Sequence, residues 1–154
     1  MKKDEIRHFP LPGLLPEGQV FALNMHLGTL SQLGVSPDQQ PRIIREQRFT
    51  ESEVCILVPL LSSYPHFCPY ELLHASFNSH DVTKEQIVRS RERLHQTQEE
   101  GLWEYEMLPI RNMLSRVRLK LRDFGLDITS IHEVGYILLG DLRILRGENS
   151  TPAR

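Results

Sequence analysis

Leu114-Ser-Arg-Val-Arg-Leu-Lys-Leu121 is the stretch that decides the predicted fold. It lies within Met107 to Arg122, a segment with five basic and no acidic residues. Gly125, a typical helix stop, follows the segment closely. Apolar residues recur at spacings of four, three, four and three, at Ile110, Leu114, Val117, Leu121 and Phe124. Because these spacings place side chains on one helical face, the pattern predicts a helix at 109–124 with one buried face.

The other faces of this predicted helix are polar and basic. At about 100° per residue, the side chains that point away from the buried face or flank it are Arg111, Asn112, Ser115, Arg116, Arg118, Leu119 and Arg122. Arg116 and Asn112 have the chemistry to read guanine and adenine edges, whereas Lys120 and the remaining arginines suit phosphates. The pattern is that of a usable DNA face, and it leaves open which side chain would reach a base.

Three further helices are predicted upstream. Thr50-Glu-Ser-Glu53 and Thr83-Lys-Glu-Gln86 are both capping boxes, and each one marks the start of a helix. Pro69 suits the first position of a short helix between them. With the basic helix included, the predicted helices span 51–64, 69–77, 83–100 and 109–124.

The N-terminal third of the chain is predicted to be β-structure preceded by an arm. Residues 1–18 are rich in Pro and Gly, which predicts an extended arm. Val20 to Leu27 and Pro41 to Phe49 have the composition of strands, although 21–33 also fits a helix. The remaining predicted segments are a β-hairpin at 127–139 and a polar C-terminal tail at 141–154.

The order of these elements predicts the fold. Helix, turn, short helix, long basic helix and hairpin is the order of a winged helix-turn-helix, in which the last helix enters the major groove and the hairpin is the wing. A chain of 154 residues fits one domain. The predicted class is α+β, a winged helix-turn-helix at 19–140 with an N-terminal β-segment, three core helices, one inserted helix and a C-terminal β-hairpin wing.

Several motifs resemble the OmpR/PhoB type of winged-helix effector domain found in bacterial transcription regulators. Leu114 to Leu121 is similar to Ile-Ser-Arg-Leu-Arg-Lys-Lys-Leu of that family's recognition helix. Ile131-His-Glu-Val-Gly-Tyr136 stands where the family has Val-Arg-Gly-Val-Gly-Tyr. Phe49-Thr-Glu-Ser-Glu53 and Cys68-Pro-Tyr-Glu-Leu-Leu73 resemble the openings of its first two helices. The resemblance covers roughly Pro41 to Leu139.

The resemblance implies a sequence-specific DNA-binding transcription regulator whose recognition helix is 109–124. It implies double-stranded DNA and RNA polymerase as partners, the polymerase approaching the connection between Phe77 and Ile110. The chain upstream of Pro41 is too short for a receiver domain, so we expect no phosphorylation switch in this chain. A homodimer on DNA is plausible because one short helix reads few bases. By position, the DNA contacts that the resemblance implies come from Asn112, Met113, Arg116, Arg118 and the wing residue His132.

Composition and charge narrow the function classes. The formal net charge is −2, so attraction to DNA has to be local. Cys55 and Cys68 are too few for a disulfide framework, which predicts free thiols and a cytoplasmic, nucleoid-associated protein. We expect no membrane span and no signal peptide. Neither a catalytic cluster nor a zinc-ligand pattern is present, so we predict no enzymatic activity, no cofactor and no metal.

A second interpretation stays open: a protein-interaction or structural module that keeps the winged-helix scaffold with weak or no DNA binding. The negative net charge favours it, as do the wing pair His132-Glu133 and the outward-facing Leu119. The effect of salt separates the two interpretations, because binding to DNA weakens steeply as salt is added and an apolar protein interface changes little.

Overall fold

Residues 5–79 and 82–140 are described by the structure, a computed structural model, and they form a mixed α+β architecture. The strands are β1 (Ile6–Phe9), β2 (Val20–Asn24), β3 (Thr29–Val35), β4 (Pro41–Arg48), β5 (Cys68–Pro69), β6 (Leu126–Ile131) and β7 (Gly135–Gly140). The helices are α1 (Glu51–Ser63), α2 (Tyr70–Asn78), α3 (Lys84–Glu99) and α4 (Trp103–Leu121), and a 3-10 turn (Arg122–Phe124) follows α4. The predicted α+β class is confirmed.

The first sheet is an antiparallel meander in the order β1-β2-β3-β4. Buried and half-buried residues alternate along β2 and β3, so the possible helix at 21–33 is wrong: the apolar residues have the period of two that a strand requires. Gly28 closes the β2–β3 turn with a φ of +77°, and a Cβ there would collide with the Phe49 carbonyl. Part of the predicted arm belongs to the sheet, since β1 pairs with β2.

Helix α1 begins where the capping box predicts. The Thr50 hydroxyl accepts from the Glu53 amide at 3.2 Å, and the Glu53 carboxylate accepts from the Thr50 amide at 2.8 Å. Helix α2 starts one residue later than predicted, because Pro69 is its N-cap and pairs in β5 instead of entering the helix. The first two predicted helices are therefore confirmed, with ends that shift by one residue.

Helix α3 is tied to its neighbours by a buried polar chain. Its own start is capped as predicted, with Thr83 and Gln86 exchanging hydrogen bonds. His74 on α2 is 2.8 Å from Ser90 on α3 through Nδ1 and 2.8 Å from Glu106 on α4 through Nε2. Because the Glu106 carboxylate can only accept, Nε2 donates to it, and Nδ1 shares a hydrogen bond with the Ser90 hydroxyl. One imidazole therefore joins three helices.

Helix α4 begins at Trp103, six residues before the predicted start at Pro109, which lies inside the helix. Met107, which is fully buried, extends the apolar stripe by one turn from Ile110. Pro109 lacks the amide hydrogen that would bond to the carbonyl of Tyr105. Tyr105 lies on the exposed side of the helix, so water can donate to its carbonyl instead. The helix continues through the proline because apolar side chains are buried on both sides of it. The predicted stripe is confirmed, since Ile110, Leu114, Val117, Leu121 and Phe124 are all buried.

The predicted C-terminal hairpin is confirmed: β6 and β7 pair in antiparallel register, from Leu126 with Gly140 to Ile131 with Gly135. The sequence did not indicate its third strand, β5, which pairs Cys68 with Tyr136 and Pro69 with Gly135. Gly135 is required at this crossing, because a Cβ there would collide with the Cys68 carbonyl. The hairpin is therefore anchored at the start of α2, beside α4.

Candidate nucleic-acid interface

The predicted site residues lie on two parts of the fold, α4 with the turn that follows it and the β6–β7 hairpin. Six lie on α4, Arg122 follows in the 3-10 turn, and His132 is at the hairpin turn. Met113 is half-buried and packs against the core, so little of it is available to a ligand. The exposed members of the set are Arg111, Asn112, Ser115, Arg116, Arg118, Arg122 and His132.

Asn112 and Arg116 occupy the outer face of α4, opposite the buried stripe, as helical periodicity predicts. Within residues 5–79 and 82–140, neither side chain has an ion-pair or hydrogen-bond partner, whereas Ser115 donates to the Arg111 carbonyl at 3.2 Å. Their guanidinium and amide groups are therefore free to bind another molecule. These are the two groups whose chemistry suits base edges.

Arg118 is held in place by an acidic residue that sequence reasoning missed. Its Nε and Nη2 donate to the two oxygens of Asp127 on β6, at 2.6 and 3.3 Å, and Arg122 Nε lies 3.9 Å from the same carboxylate. Partial burial acts to raise the pKa of Asp127, but the hydrogen bond from Arg118, the Ile128 amide and the two positive charges outweigh it and lower that pKa. Asp127 thus stays ionised and restrains both arginines.

Arg111 is also paired, with Glu104 two turns earlier on α4. Glu104 lies outside the predicted helix, so the sequence gave no reason to place it beside Arg111. Both side chains are largely exposed, at 49% and 73%, and water therefore weakens their attraction. This ion pair is weak, so a ligand can replace either partner at a small cost in free energy.

Lys120 takes a role other than the predicted phosphate contact. Its Nζ lies 2.6 Å from the Glu53 carboxylate and 2.8 Å from the Arg48 carbonyl, and 5.3 Å from the centre of the Phe49 ring. Burial acts to raise the pKa of Glu53, but the Lys120 hydrogen bond, the Thr50 amide and the Lys120 charge lower it. Lys120 therefore links α4 to the start of α1, and this contact occupies its ammonium group.

A cleft of about 290 Å³ separates α4 from the hairpin. Arg111, Ser115 and Arg118 line it from the helix, and Thr129 and Ser130 line it from β6. Guanidinium and hydroxyl groups all donate hydrogen bonds, and guanidinium adds positive charge. This lining suits the oxygen atoms of an anion. We call this space the α4–hairpin cleft.

The hairpin turn presents His132 and Glu133 to solvent. Their side chains are 93% and 73% exposed, and Nε2 lies 3.9 Å from the carboxylate. Glu133 has a φ of +63°, so the backbone turns sharply at this point. The predicted wing residue is thus accessible, with a carboxylate as its nearest charged neighbour.

Apolar side chains also lie on the exposed side of α4. Tyr105, Leu108 and Leu119 are 79%, 51% and 64% exposed, at either end of the Asn112–Arg116 region. An isolated exposed leucine is ordinary, but these three share the helix that carries the predicted site. The surface therefore offers both polar and apolar contacts.

No family model, curated protein or solved structure matches the chain. Within the part of the chain that the structure describes, no helix is long and apolar enough to cross a membrane. Over the same residues, no three His, Cys, Asp or Glu side chains are grouped in a way that could hold a metal ion. Function has to be inferred from the surface around α4.

Proposed function

We propose that this protein is a winged helix-turn-helix regulator that binds double-stranded DNA in a sequence-specific way, with α4 in the major groove and the β6–β7 hairpin as the wing. The observation that carries the proposal is the outer face of α4. Asn112 and Arg116 are exposed there and have no hydrogen-bond or ion-pair partner among the residues that the structure describes, while the opposite face of the helix is buried. A helix of this kind fits the major groove, where guanidinium and amide groups distinguish guanine and adenine.

The neighbouring arginines supply the second kind of contact that such a protein needs. Arg118 and Arg122 are restrained by Asp127, and Arg111 lines the α4–hairpin cleft. Arg118, which two hydrogen bonds hold in one conformation, loses little entropy when it meets a phosphate, and Arg111 and Arg122 add positive charge beside it. Arg111, Arg118 and Arg122 would therefore set the position of α4 on the duplex, and Arg116 and Asn112 would read the sequence.

The proposed regulator is a bacterial transcription factor of the OmpR/PhoB type that acts on the nucleoid in the cytoplasm. Its partners are duplex DNA, RNA polymerase and a second copy of the chain on a repeated half-site. Helix α3 is the surface that we propose the polymerase approaches, because it is an addition to the three core helices and Arg91 and Arg93 bind it to α2 and α4. A helix that docks a partner has to be held firmly against the rest of the domain.

The test is fluorescence anisotropy with mixed-sequence duplex DNA, titrated from about 50 to 200 mM salt. Binding should weaken as salt rises, and Arg116→Ala should lose the preference for sites selected from a random duplex library. Arg89→Ala is the matched control: it removes the same charge from the exposed side of α3, where Arg89 pairs only loosely with Glu85. Binding that Arg116→Ala and Arg89→Ala reduce equally would contradict the proposed base contact.

A protein-interaction module is the second candidate, and the exposed Tyr105, Leu108 and Leu119 favour it. An interface built on these side chains would be insensitive to salt, because its attraction is apolar. Leu119→Lys separates the two candidates. It should strengthen DNA binding by adding a positive charge to the outer face of α4, and it should weaken a protein complex by removing an apolar contact. The measurement is anisotropy for DNA and light scattering for self-association.

A further inference from the structure

A larger cleft lies on the other side of Arg111, where α2, α3, α4 and the hairpin turn meet. Its volume is about 490 Å³, within the range of small-molecule sites. Two features that the predicted fold did not include form it: the six-residue extension at the start of α4 and the position of α3 alongside it. We call this space the aromatic cleft, after the rings of Tyr70, Trp103 and Tyr136 that line it.

The three rings form one connected cluster. The centre of the Tyr70 ring lies 5.1 Å from that of Trp103 and 5.8 Å from that of Tyr136, and both pairs are edge to face. All three side chains are half-buried, so part of each remains accessible from the cleft. A group that contacts Tyr70 is therefore close to all three. The faces of such rings attract cations within about 6 Å of the ring centre.

The charges around the rings favour a positive ligand. Three carboxylates, from Glu71, Glu104 and Glu133, line the cleft with two guanidinium groups, from Arg91 and Arg111. Both arginines are already neutralised, Arg91 by Glu71 at 3.1 Å and Arg111 by Glu104. Among the described residues, Glu133 has one ion-pair partner, His132, at 3.9 Å. The cleft therefore combines π faces with an excess of negative charge.

We propose that the aromatic cleft binds a small organic cation with an aromatic or quaternary ammonium group, and that this cation regulates DNA binding. The regulatory part rests on the proposed function. A cation seated on the rings reaches Glu104 and Glu133, and when it pairs with Glu104 it displaces Arg111. Arg111 lines both clefts, so its release adds a free positive charge to the α4–hairpin cleft. The cation would thereby strengthen the hold of the protein on a phosphate.

Trp103 allows this site to be tested without DNA, because it is the single tryptophan of the chain. The probe is benzyltrimethylammonium, with phenylacetate as the anionic control and benzyl alcohol as the neutral one. We expect a saturable change of tryptophan fluorescence with the cation and none with the other two. Glu104→Gln and Glu133→Gln should each weaken binding of the cation about threefold. Glu85→Gln, an equal change of charge on α3 outside the cleft, should leave it unchanged.

No saturable response to the cation, or an equal response to phenylacetate, would overturn the site. The regulatory part is tested by adding the cation to the anisotropy assay. It should tighten binding of the unaltered protein to DNA about threefold, and Glu104→Gln should bind DNA tightly without it. A cation that binds the cleft but leaves DNA binding unchanged overturns the release of Arg111. If the cation binds the cleft saturably and no DNA binds at any salt concentration, the proposed function fails and the cation site stands.

Discussion

The arginines of α4 differ in how firmly they are held. Arg118 is fixed by two hydrogen bonds to Asp127, Arg111 shares a weaker pair with Glu104, and Arg116 has no partner within the described residues. A fixed side chain suits a contact whose position never varies, such as a backbone phosphate. A free side chain can adjust to a base edge. One helix thus carries the two kinds of arginine that a sequence-reading protein needs.

Replacing Asp127 with asparagine should strengthen DNA binding. The variant removes a negative charge from the interface, and its side-chain amide oxygen can still accept a hydrogen bond from Arg118, so we expect about threefold to tenfold tighter binding at low salt. The loss of folding free energy should stay below about 1 kcal/mol, because Arg118 is roughly half exposed. Anisotropy gives the first quantity and urea unfolding the second. Glu99→Gln, on the exposed side of α3, is the control, and weaker binding by Asp127→Asn would contradict the expectation.

The stability of the protein should fall in acid partly through Glu53. The pKa of this carboxyl is below its ordinary value of 4.5 in the folded protein, so the folded state favours the charged form. Its stabilisation is fully present above the ordinary pKa and is lost as the pH falls through the lowered one. Glu53→Gln leaves Lys120 without its charge partner, which should cost about 1–3 kcal/mol at neutral pH.

Urea unfolding between neutral pH and about pH 3 measures this effect. The free energy of unfolding should decline less steeply with acid in Glu53→Gln than in the unaltered protein. Glu51→Gln, two residues earlier at an exposed position in the first turn of α1, should follow the curve of the unaltered protein. Parallel curves for Glu53→Gln and the unaltered protein would show that Glu53 carries none of the acid sensitivity.

Periodicity alone was enough to place Asn112 and Arg116 on the outer face of α4, because that depends only on helix geometry. It could not identify Glu104 or Asp127, since their contacts depend on where α4 begins and how β6 returns beside it. Lys120 shows the same limit. Its position on the helix was predictable, but its contact with Glu53 depends on how α1 packs against α4.

Sequence motifs predicted the start of a helix correctly where hydrogen bonds between nearby residues determine that start. Both capping boxes mark true helix starts at Thr50 and Thr83, because the bonds involve residues three apart. The start of α4 was missed because a proline normally marks a boundary, whereas here buried Met107 continues the apolar stripe beyond Pro109. Strand β5 was missed because two residues carry no periodic signal and depend on their partner in β7.

Removing the imidazole that joins α2, α3 and α4 should loosen α3 more than any other helix. His74→Ala leaves Ser90 and Glu106 without their buried partner, which should cost about 1–3 kcal/mol. Because α3 has few other buried side chains, its amides should lose protection from hydrogen exchange before those of α1. Exchange followed by mass spectrometry gives the comparison.

His95→Ala is the control for this change, since His95 is an exposed histidine on α3, the helix whose exchange is measured. Its exchange pattern should match that of the unaltered protein. Equal loss of protection across α1 and α3 in His74→Ala would mean that the imidazole supports the whole core and not the docking of α3 in particular.

At the scale of the whole molecule, one core joins the N-terminal sheet to the helices. Phe21 on β2 packs edge to face on Phe124 after α4, with ring centres 5.1 Å apart. Leu11 and Leu15, in the segment predicted to be an extended arm, are buried in the same core. Chain length predicted one domain, but the Pro- and Gly-rich composition hid these two core residues. The contribution of the first strand could not be read from composition because it comes from pairing with β2.

The salt dependence of DNA binding should be modest for a protein of this size. The net charge of −2 leaves no general attraction to DNA, so the counterions released correspond to the few arginines of the interface. With Arg111, Arg118 and Arg122 each meeting one phosphate, log Kobs should fall with log salt at a slope of about −3 per chain. Anisotropy at several salt concentrations measures it, and a slope near zero would favour the protein-interaction module.

The short ladder between β5 and β7 determines what the hairpin can do mechanically. Cys68 and Pro69 pair with the first two residues of β7, and the Tyr70 amide donates to the Val134 carbonyl in the turn at 3.2 Å. These contacts restrain the hairpin as a unit, and His132 and Glu133 are its most exposed part. The hairpin therefore keeps a fixed position relative to α4. In the proposed complex, the distance from α4 in the major groove to the hairpin on the flanking backbone is therefore set before binding. The protein would then respond to the shape of the duplex as well as to its bases.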